Sequence, residues 1–419
     1  MARITLSTMG SLGDLHPMIA LALELRRRGH DVVINSWDGY AEKIEELGFE
    51  FFLLRPSIDP TDRKLLREVM DARKGPEKII KDLVSPHLHE MYEDLMNAAA
   101  GADLMITGEI VYVAKSVFEK TGIKWISTSL APLSMFSAYD PSVYPTVEWV
   151  EYLRPMPAAF HRAMFSFMRW TISSWFEPYR IFRRELGLDG EHDPVFQGKF
   201  SELMHFAMFS KVLGIPQPDW HPSTLQTGFC FYDGQEDSGQ MPDDLSDFLE
   251  KGEPPIIFTL GSAAVMDARD FFDESAKAAK TLGRRAVLLY GRDNAPPKGL
   301  DENIVAFEYA PYSPIFPKAA CVVHQAGVGT TGQVLRAGVP HLIVPYAHDQ
   351  PDNAVRCRRM GVAEIIGRDR YNAANAVNML RKILADPSYS AKASAAGKIV
   401  RGEHGTRTAC DAIEDVLKK

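Results

Sequence analysis

The chain has 419 residues, 46% of them hydrophobic and 24% charged, so it is long enough to form two ordinary globular domains. Its net charge of −8 argues against a nucleic-acid partner, because such surfaces usually carry a basic excess. The cysteines are scattered without a CxxC spacing, so we expect neither a zinc site nor a disulfide framework. A reduced, cytoplasmic protein is the expectation.

The first segment predicts a βαβ unit that opens a parallel sheet. An apolar strand at 4–7 is followed by the turn GSLGD, a helix over PMIALALELRRRGH and a second strand at 32–34. Pro17 suits the first helical turn, and Gly29 suits the end of the helix. We find no signal peptide and no run of 18 apolar residues, so neither export nor a transmembrane segment is expected.

Further apolar runs, at 51–54, 104–107 and 125–127, complete one α/β half. Residues 214–255 are rich in Pro, Gly and Asp, which indicates a linker. A second α/β half follows, with predicted strands at 256–260, 286–290, 304–307, 321–323 and 342–344. The predicted fold class is α/β, with two facing Rossmann-like, doubly wound domains. We place boundaries at 1–218, at 219–254 for the linker and start of the second domain, at 255–398, and at 399–419 for a final helix.

The segment FHRAMFSFMRWTISSWFEPYRIFRREL, residues 160–186, is dense in aromatic side chains and arginine at helical spacing. We favour a helix with one core face and one solvated face. One alternative is that the segment forms a wall of an acceptor pocket. The other is that it makes peripheral contact with a membrane.

Three glycine-rich turns follow predicted strands, where helix N-termini attract anions. They are GSLGD, GSAAV at 261–265 and HQAGVGTTG at 324–332. The last contains Gly327-x-Gly329-x-x-Gly332, with Asp349 farther along, which is the outline of a dinucleotide-binding fingerprint. A histidine at the strand end, His324, precedes the first glycine and can donate to a phosphate oxygen. An NAD(P)-dependent oxidoreductase therefore remains only an alternative.

The longest motif is YAPYSPIFPKAACVVHQAGVGTTGQVLRAGVPHLIVPYAHDQPDNA, residues 309–354. It resembles the donor-binding signature of the GT-B nucleotide-sugar glycosyltransferases, the UDP-glycosyltransferase family in its bacterial form. The resemblance extends to GSLGDLHP at the start, to GEPPIIFTLGS at the head of the second half and to the final helix, which in this fold packs toward the N-terminal domain. It implies an acceptor-binding first domain and a second domain that binds the nucleotide sugar.

The resemblance also implies a donor site. It assigns the diphosphate to His324 and to the turn around it, the nucleobase to Tyr309 and the sugar hydroxyls to Asp349 and Gln350. Gln333 stands where plant members place a glutamate on the ribose hydroxyls, so the choice between UDP and dTDP stays open. The remaining donor-site residues are Gly13, Ser262, Gly327, Gly329 and Thr330.

For catalysis, Asp14 aligns with the histidine that serves as base in the plant members. An ordinary helix N-cap is the competing interpretation of Asp14, and His16 is the rival base. Glu109 lies within one residue of the family's aspartate that orients the base, and that offset leaves its role in doubt. The chain contains no DxD motif, so we expect neither a metal nor any other cofactor.

These observations predict an inverting, metal-independent glycosyltransferase that moves a hexose to a hydroxyl of a small apolar acceptor. UDP-glucose is the first-ranked donor and a dTDP-sugar the second. A dTDP-rhamnose-type or other deoxysugar transferase acting on a lipid or natural product is the nearest alternative. A nucleotide-sugar epimerase and a non-catalytic sugar-nucleotide binder are the more distant ones. The oligomeric state and the acceptor are left open.

Overall fold

The computed structural model describes residues 1–57, 62–234, 241–291 and 294–418, with Ala263 described by its backbone alone. Within these ranges the chain forms two parallel sheets covered by helices. The predicted α/β class with two Rossmann-like halves is confirmed.

The first sheet has the order β3-β2-β1-β4-β5-β6-β7, and all its strands are parallel. The central strands β1 and β4 are buried almost throughout, as expected for strands covered on both faces. The strands are β1 (Arg3–Ser7), β2 (Asp31–Ser36), β3 (Glu50–Leu53), β4 (Leu104–Thr107), β5 (Lys124–Ser129), β6 (Met204–Ala207) and β7 (Thr224–Gln226).

The second sheet has the order β10-β9-β8-β11-β12-β13 and is also parallel. The strand order reverses between β1 and β4 in the first sheet and between β8 and β11 in the second. Open parallel sheets bind ligands outside the carboxyl ends of strands at such switch points. The strands are β8 (Ile256–Thr259), β9 (Ala286–Leu289), β10 (Ile304–Phe307), β11 (Cys321–His324), β12 (His341–Ile343) and β13 (Ala363–Ile365).

Helices connect the strands, together with short 3₁₀ and π turns. In the first half and the linker they are α1 (Leu12–Arg27), α2 (Ala41–Glu46), α3 (Arg63–Val69), α4 (Gly75–Glu77), α5 (Leu88–Ala99), α6 (Ala114–Thr121), α7 (Ala158–Thr171), α8 (Glu177–Glu185) and α9 (Asp243–Glu250). In the second half they are α10 (Gly261–Ala264), α11 (Phe271–Leu282), α12 (Tyr312–Ile315), α13 (Val328–Ala337), α14 (Gln350–Met360), α15 (Ala373–Ala385), α16 (Pro387–Gly402) and α17 (Gly405–Lys418).

Two details of the first βαβ unit differ from expectation. Helix α1 begins at Leu12, so Pro17 lies at its sixth position rather than in the first turn. Ser11 is the N-cap, and its side chain accepts from the backbone N–H of Gly13 at 3.1 Å. Asp14 is therefore not the N-cap itself but the N3 residue of a capping box that begins at Ser11, so it still takes part in capping α1.

The strands β6, β7 and β13 were not foreseen, because each is only three or four residues long and lies beside Pro- or Gly-rich chain. The aromatic segment forms α7 and α8, joined by a 3₁₀ turn. Tyr179 and Phe182 are buried, whereas Phe167 and Trp170 are 64% and 70% exposed. A core face and a solvated face both exist in this segment, although bulky aromatic side chains lie on the solvated face.

Helix α17, at the end of the second half, packs on α1. Its Cys410, Ile413 and Val416 belong to the same apolar core as β1 and α1. Arg28 at the end of α1 forms ion pairs with Asp411 and Glu414 of α17. Among the described residues, no helix, α17 included, is long and apolar enough to cross a membrane.

Candidate functional site

The two switch points face each other across a cleft between the domains. A Cβ atom built on Gly329, at the start of α13, would lie 3.9 Å from the Cα atom of Gly13, at the start of α1. The helix that follows β1 and the helix that follows β11 thus meet at their N-termini. Of the predicted site residues, Gly13, Asp14 and His16 lie on α1, and Gly327, Gly329, Thr330 and Gln333 lie on α13 or at its N-cap.

Asp14 is held at the cleft by the cap of α1. Its Oδ2 atom accepts from the backbone N–H of Ser11 at 2.8 Å and from the Ser11 hydroxyl at 3.1 Å. Gly10 has a φ of +130°, and a Cβ atom there would lie 2.4 Å from Asp14 Oδ2, so the close approach requires glycine. The pKa of Asp14 is raised to about 6, chiefly by burial and partly by the charge of Glu109.

His16 is on the same helix, two residues farther along. Its ring lies 5.1 Å from the ring of Tyr232, and its Nε2 atom is buried with no hydrogen-bond partner in the described structure. Burial, and then the charge of Lys43, lowers the pKa of His16 to about 4. His16 is therefore neutral near pH 7, and Tyr232 from the linker covers it.

Glu109 follows β4 and is clamped within the first domain. Its Oε1 atom accepts from the backbone N–H of Leu130 at 3.0 Å, and its Oε2 atom accepts from the Ser134 hydroxyl at 2.6 Å. Because its carboxylate charge raises the pKa of Asp14, Glu109 acts on the candidate base through space. The structure thus brings the two residues near each other.

A narrow cavity opens beside Glu109, at the carboxyl ends of β4 and β5. Lys199 reaches into this region, donates to the Ser134 carbonyl at 2.5 Å and lies 3.9 Å from Glu109 Oε2. Burial lowers the pKa of Lys199. Its ammonium also lies over the rings of Phe136 and Phe200. The lining includes Thr107, Gly108, Glu109, Tyr112, Trp125 and Lys199.

On the opposite side of the cleft, α13 presents its N-terminus after the glycine-rich turn. Gly327 is the N-cap, and Gly329 and Thr330 lie in the first turn. The backbone N–H of Val328 donates to Asp349 Oδ2 at 3.1 Å. A carboxylate thus already lies at this helix N-terminus, where exposed N–H groups favour negative charge.

His324 does not face the cleft in this structure. Its side chain is 0% exposed, Nδ1 accepts from the backbone N–H of Ala326 at 3.1 Å, and Nε2 lies 3.0 Å from Nδ1 of His341. Burial lowers the pKa of His324 well below its ordinary value, so the ring is neutral. Contact with a diphosphate would require the imidazole to leave both partners.

The residue that does face the glycine-rich turns is Gln325, which the sequence interpretation passed over. Cβ atoms built on Gly261 and Gly327 would lie 2.4 and 2.9 Å from Gln325 Nε2. The side chain is 5% exposed, and its Oε1 atom has no hydrogen-bond partner among the described residues. Gln325 directly follows β11 and stands at the strand end beside His324, and that position was the available signal.

Asp349 is positioned by α13 and α14 together. Its Oδ2 atom also accepts from Asn353 Nδ2 at 2.7 Å, and its side chain makes no capping bond to α14, which begins at Gln350. The pKa of Asp349 is raised to about 7, first by burial and also by the charge of Asp14 across the cleft. Asp349 thus occupies the N-cap position of α14, but its carboxylate bonds Val328 of α13 and the side chain of Asn353 rather than a backbone N–H of α14.

Gln350 uses its carbonyl end locally. Its Oε1 atom accepts from the backbone N–H groups of Tyr346 at 2.8 Å and Ala347 at 3.2 Å. Only its amide nitrogen can then be offered to a sugar hydroxyl. Across the described ranges, no three acidic, cysteine or histidine side chains converge as metal ligands would.

The remaining predicted residues are Ser262, Tyr309 and Gln333. Ser262 is exposed in the first turn after β8, and Tyr309 is 47% exposed after β10. Gln333 lies on α13, and its Nε2 atom donates to Asp233 Oδ1 of the linker at 3.1 Å. Exposed positions at strand ends leave Ser262 and Tyr309 accessible to a ligand.

Both halves of the chain resemble known protein families. Residues 4–92 match the model of the glycosyltransferase family 28 N-terminal domain, and residues 287–403 match that of the erythromycin biosynthesis protein CIII-like C-terminal domain. These two matches fall on the two halves that form the cleft.

Among relatives, the chain is 31% identical over 433 residues to O-mycaminosyltylonolide 6-deoxyallosyltransferase of Streptomyces fradiae, covering 99% of this chain and 97% of that protein. It is 26% identical to sterol 3-beta-glucosyltransferase of Debaryomyces hansenii, covering 98% of this chain but 26% of that longer protein.

Solved structures support the same fold. Spinosyn forosaminyltransferase SpnP superposes with a TM-score of 0.71 at 16% identity, covering all of both chains. Glycosyltransferase VinC, in complex with dTDP, gives 0.67 at 19% identity over 99% of both chains. These likenesses show the GT-B fold. Together with the end-to-end match to the Streptomyces fradiae enzyme, they establish that the chain belongs to the bacterial, UDP-glycosyltransferase-type family of GT-B glycosyltransferases.

Proposed function

We propose that the protein transfers a hexose, with inversion at the anomeric carbon, from a nucleoside diphosphate sugar to a hydroxyl group of an apolar acceptor. The observation that supports the proposal is the close approach of the N-terminus of α1, which carries Asp14, to the N-terminus of α13. A base on α1 and a diphosphate on α13 would then lie on opposite sides of the cleft. This geometry suits in-line attack, because the acceptor hydroxyl would reach the anomeric carbon from the side opposite the departing diphosphate.

The acceptor side belongs to the first domain. Asp14 accepts the proton of the acceptor hydroxyl while its oxygen attacks the anomeric carbon. A pKa raised to about 6 makes this carboxylate a stronger base than an ordinary aspartate while it stays ionised near pH 7.

The donor side belongs to the second domain. The N–H groups at the start of α13, the amide of Gln325 and the hydroxyl of Thr330 would bind the diphosphate and stabilise the charge that develops as it leaves. Because these groups supply positive potential without an ion, we propose transfer without a metal. Asp349 and the amide nitrogen of Gln350 would bond two neighbouring sugar hydroxyls. Glucose has such a pair in its equatorial O3 and O4 hydroxyls.

The names of the relatives bear on the substrates. The Streptomyces fradiae relative is named for the transfer of 6-deoxyallose, and the Debaryomyces hansenii relative for the transfer of glucose. The names of similar proteins thus include both a deoxyhexose and an ordinary hexose. Sterol, named in the second, is an apolar acceptor. We keep UDP-glucose as the first donor and dTDP-sugars as the second.

The test is an assay of UDP-glucose and dTDP-glucose with a panel of sterols, phenols and macrolide aglycones, run with and without EDTA. The proposal expects a glycoside whose anomeric proton coupling in NMR shows the β configuration, formed equally well with EDTA. An α-glucoside would contradict inversion, and loss of product with EDTA would contradict metal independence.

A further inference from the structure

Helix α7 presents bulky apolar side chains to solvent. Of its 14 residues, all of which the structure describes, only His161 is buried. Phe167 and Trp170 lie one turn apart on its exposed side, with ring centroids 5.9 Å apart. An amphipathic helix normally turns such side chains toward a core, so α7 has an apolar face that another surface can cover.

The chain just before α7 adds to this face. Trp149 and Tyr152, on the 3₁₀ turn at 148–153, are 58% and 85% exposed, and Met156 is exposed two residues before the helix begins. We call Trp149, Tyr152, Met156, Phe167 and Trp170 the aromatic face. Exposed apolar side chains that occur singly need no explanation, whereas a cluster within one short segment marks an interaction surface.

The charge of this segment is opposite to that of the whole chain. Residues 152–176 contain three arginines and no aspartate or glutamate, whereas the full sequence carries 55 acidic and 47 basic residues. Arg169 pairs with the buried Asp193 at 2.9 Å and therefore serves the fold. Arg154 and Arg162 remain to interact with a partner.

The charges of these two arginines are not cancelled by a carboxylate of their own. Arg162 forms no ion pair with a described carboxylate, and its guanidinium lies over the ring of Tyr139 at 5.7 Å. Arg154 lies 3.5 Å from Asp140, but that carboxylate is shared with two arginines of α14. The aromatic face is thus accompanied by positive charge, which complements an anionic partner.

A bilayer with anionic headgroups fits this combination of side chains. The rings of Trp and Tyr join an apolar body to a polar tip, which suits the level of the lipid headgroups. Arginine can place its guanidinium at the lipid phosphates while its stem lies along apolar surface. A helix with one face on the protein and an aromatic, basic face outward can lie in the plane of such an interface.

A second copy of this chain is the competing partner, because aromatic and arginine side chains are also enriched at protein interfaces. The positive charge opposes this alternative. Two copies related by a twofold axis would meet through the same patch, so Arg154 and Arg162 of both copies would come together without acidic partners from the segment.

We propose that the aromatic face docks on the surface of an anionic bilayer, with α7 parallel to the membrane plane and Phe167 and Trp170 inserted among the headgroups. The inference goes beyond the proposed function, because it concerns a surface outside the cleft. It also agrees with that function, since an apolar acceptor concentrates in a membrane, and this last argument alone rests on the proposed function.

The experiment measures binding to sedimented vesicles in the absence of nucleotide and acceptor. One set of vesicles contains equal amounts of phosphatidylglycerol and phosphatidylcholine, and the other contains phosphatidylcholine alone. We expect the wild-type protein to bind the anionic vesicles about tenfold or more tightly at low salt, because each arginine near the surface contributes about fivefold. The difference should shrink as salt is raised, because salt screens the attraction.

Two double variants separate the apolar contribution from the charge. Phe167→Ser/Trp170→Ser should weaken binding to the anionic vesicles by about tenfold or more, because two rings no longer enter the lipid. Arg154→Gln/Arg162→Gln should weaken it by about 25-fold at low salt and leave binding to the neutral vesicles unchanged.

The matched controls are Ile399→Ser, at an exposed apolar position of α16, and Arg381→Gln, at an exposed basic position of α15. Both controls should bind the anionic vesicles as the wild-type protein does. Equal losses in the controls and in the double variants would overturn the assignment to the aromatic face.

A wild-type protein that does not bind the anionic vesicles, or a Phe167→Ser/Trp170→Ser variant that binds them undiminished, would overturn the proposal. So would a wild-type dimer that this variant converts to a monomer in analytical ultracentrifugation, because a second copy then covers the face. If this variant does not fold, Arg154→Gln/Arg162→Gln decides, since both side chains are exposed. Titration of the vesicle-free protein with UDP tests the proposed function separately, and absence of binding there would overturn that function alone.

Discussion

Asp14 and Asp349 are carboxyl groups from different domains that interact across the cleft. Burial is the main cause of both raised pKa values, and the charge of Asp14 further raises the pKa of Asp349, to about 7. Asp14 itself has a pKa of about 6. The charge of an ionised Asp14 therefore favours the protonated form of Asp349.

The first prediction concerns the pH dependence of kcat/KM, which reports ionisations of the free enzyme. Because Asp14 must be ionised to accept a proton and its pKa is raised to about 6, activity should rise as pH increases through about 6. His16 has a pKa lowered to about 4, so an acid limb near pH 4 would point to His16 as the base instead. Initial rates measured from pH 4 to 9 distinguish Asp14 from His16 as the base.

The second prediction is that Asp14→Asn lowers transfer by about 10²–10⁴, the usual contribution of a general base. UDP affinity should change little, because the nucleotide lies on the other domain. The asparagine carbonyl can still accept from Ser11, so the helix keeps its cap. Asp386→Asn, which alters the cap of α16 far from the cleft, is the control. Comparable activity of the two variants would remove Asp14 from catalysis.

The third prediction is that Glu109→Gln shifts the acid limb of kcat/KM to lower pH and reduces kcat severalfold. Removing the charge of Glu109 lowers the pKa of Asp14 and makes it a weaker base. The glutamine carbonyl can still accept from Leu130, so the loop should persist. The exposed Glu148→Gln serves as the control. An unshifted limb would show that Glu109 does not act on the base.

The fourth prediction separates two neighbouring residues. Gln325→Ala should weaken UDP binding by about 10- to 100-fold, as expected for losing a hydrogen bond to a charged group. His324→Ala should instead lower the melting temperature, because the buried N–H of Ala326 loses its acceptor. Calorimetric titration and thermal unfolding of both variants make the comparison. The opposite pattern would restore His324 as the diphosphate ligand.

Much of this architecture was predictable from the sequence, because apolar runs, glycine turns and capping residues are local signals. β4 and β10 appear where the pattern places them, and Gly29 follows the end of α1. The short edge strand β7 was missed because three residues carry too little periodicity to distinguish a strand from a loop.

The site was less predictable, because its contacts join residues far apart in the chain. Asp349 bonds Val328, and Asp233 bonds Gln333 across 100 positions. No local sequence pattern predicts such long-range pairs. The sequence draws attention to His324 by its chemistry at a strand end, whereas its burial and its contacts with Ala326 and His341 are tertiary features that no local pattern shows.

Acceptor-dependent transfer with Asp14 as base is tested most directly by measuring nucleoside diphosphate release from UDP-glucose by the wild-type protein, with and without the acceptor panel. We expect release that depends on an acceptor, matches glycoside formation in amount and falls by at least about 100-fold in Asp14→Asn. Release at the same rate without acceptor, or an Asp14→Asn variant as active as the wild type, would contradict it.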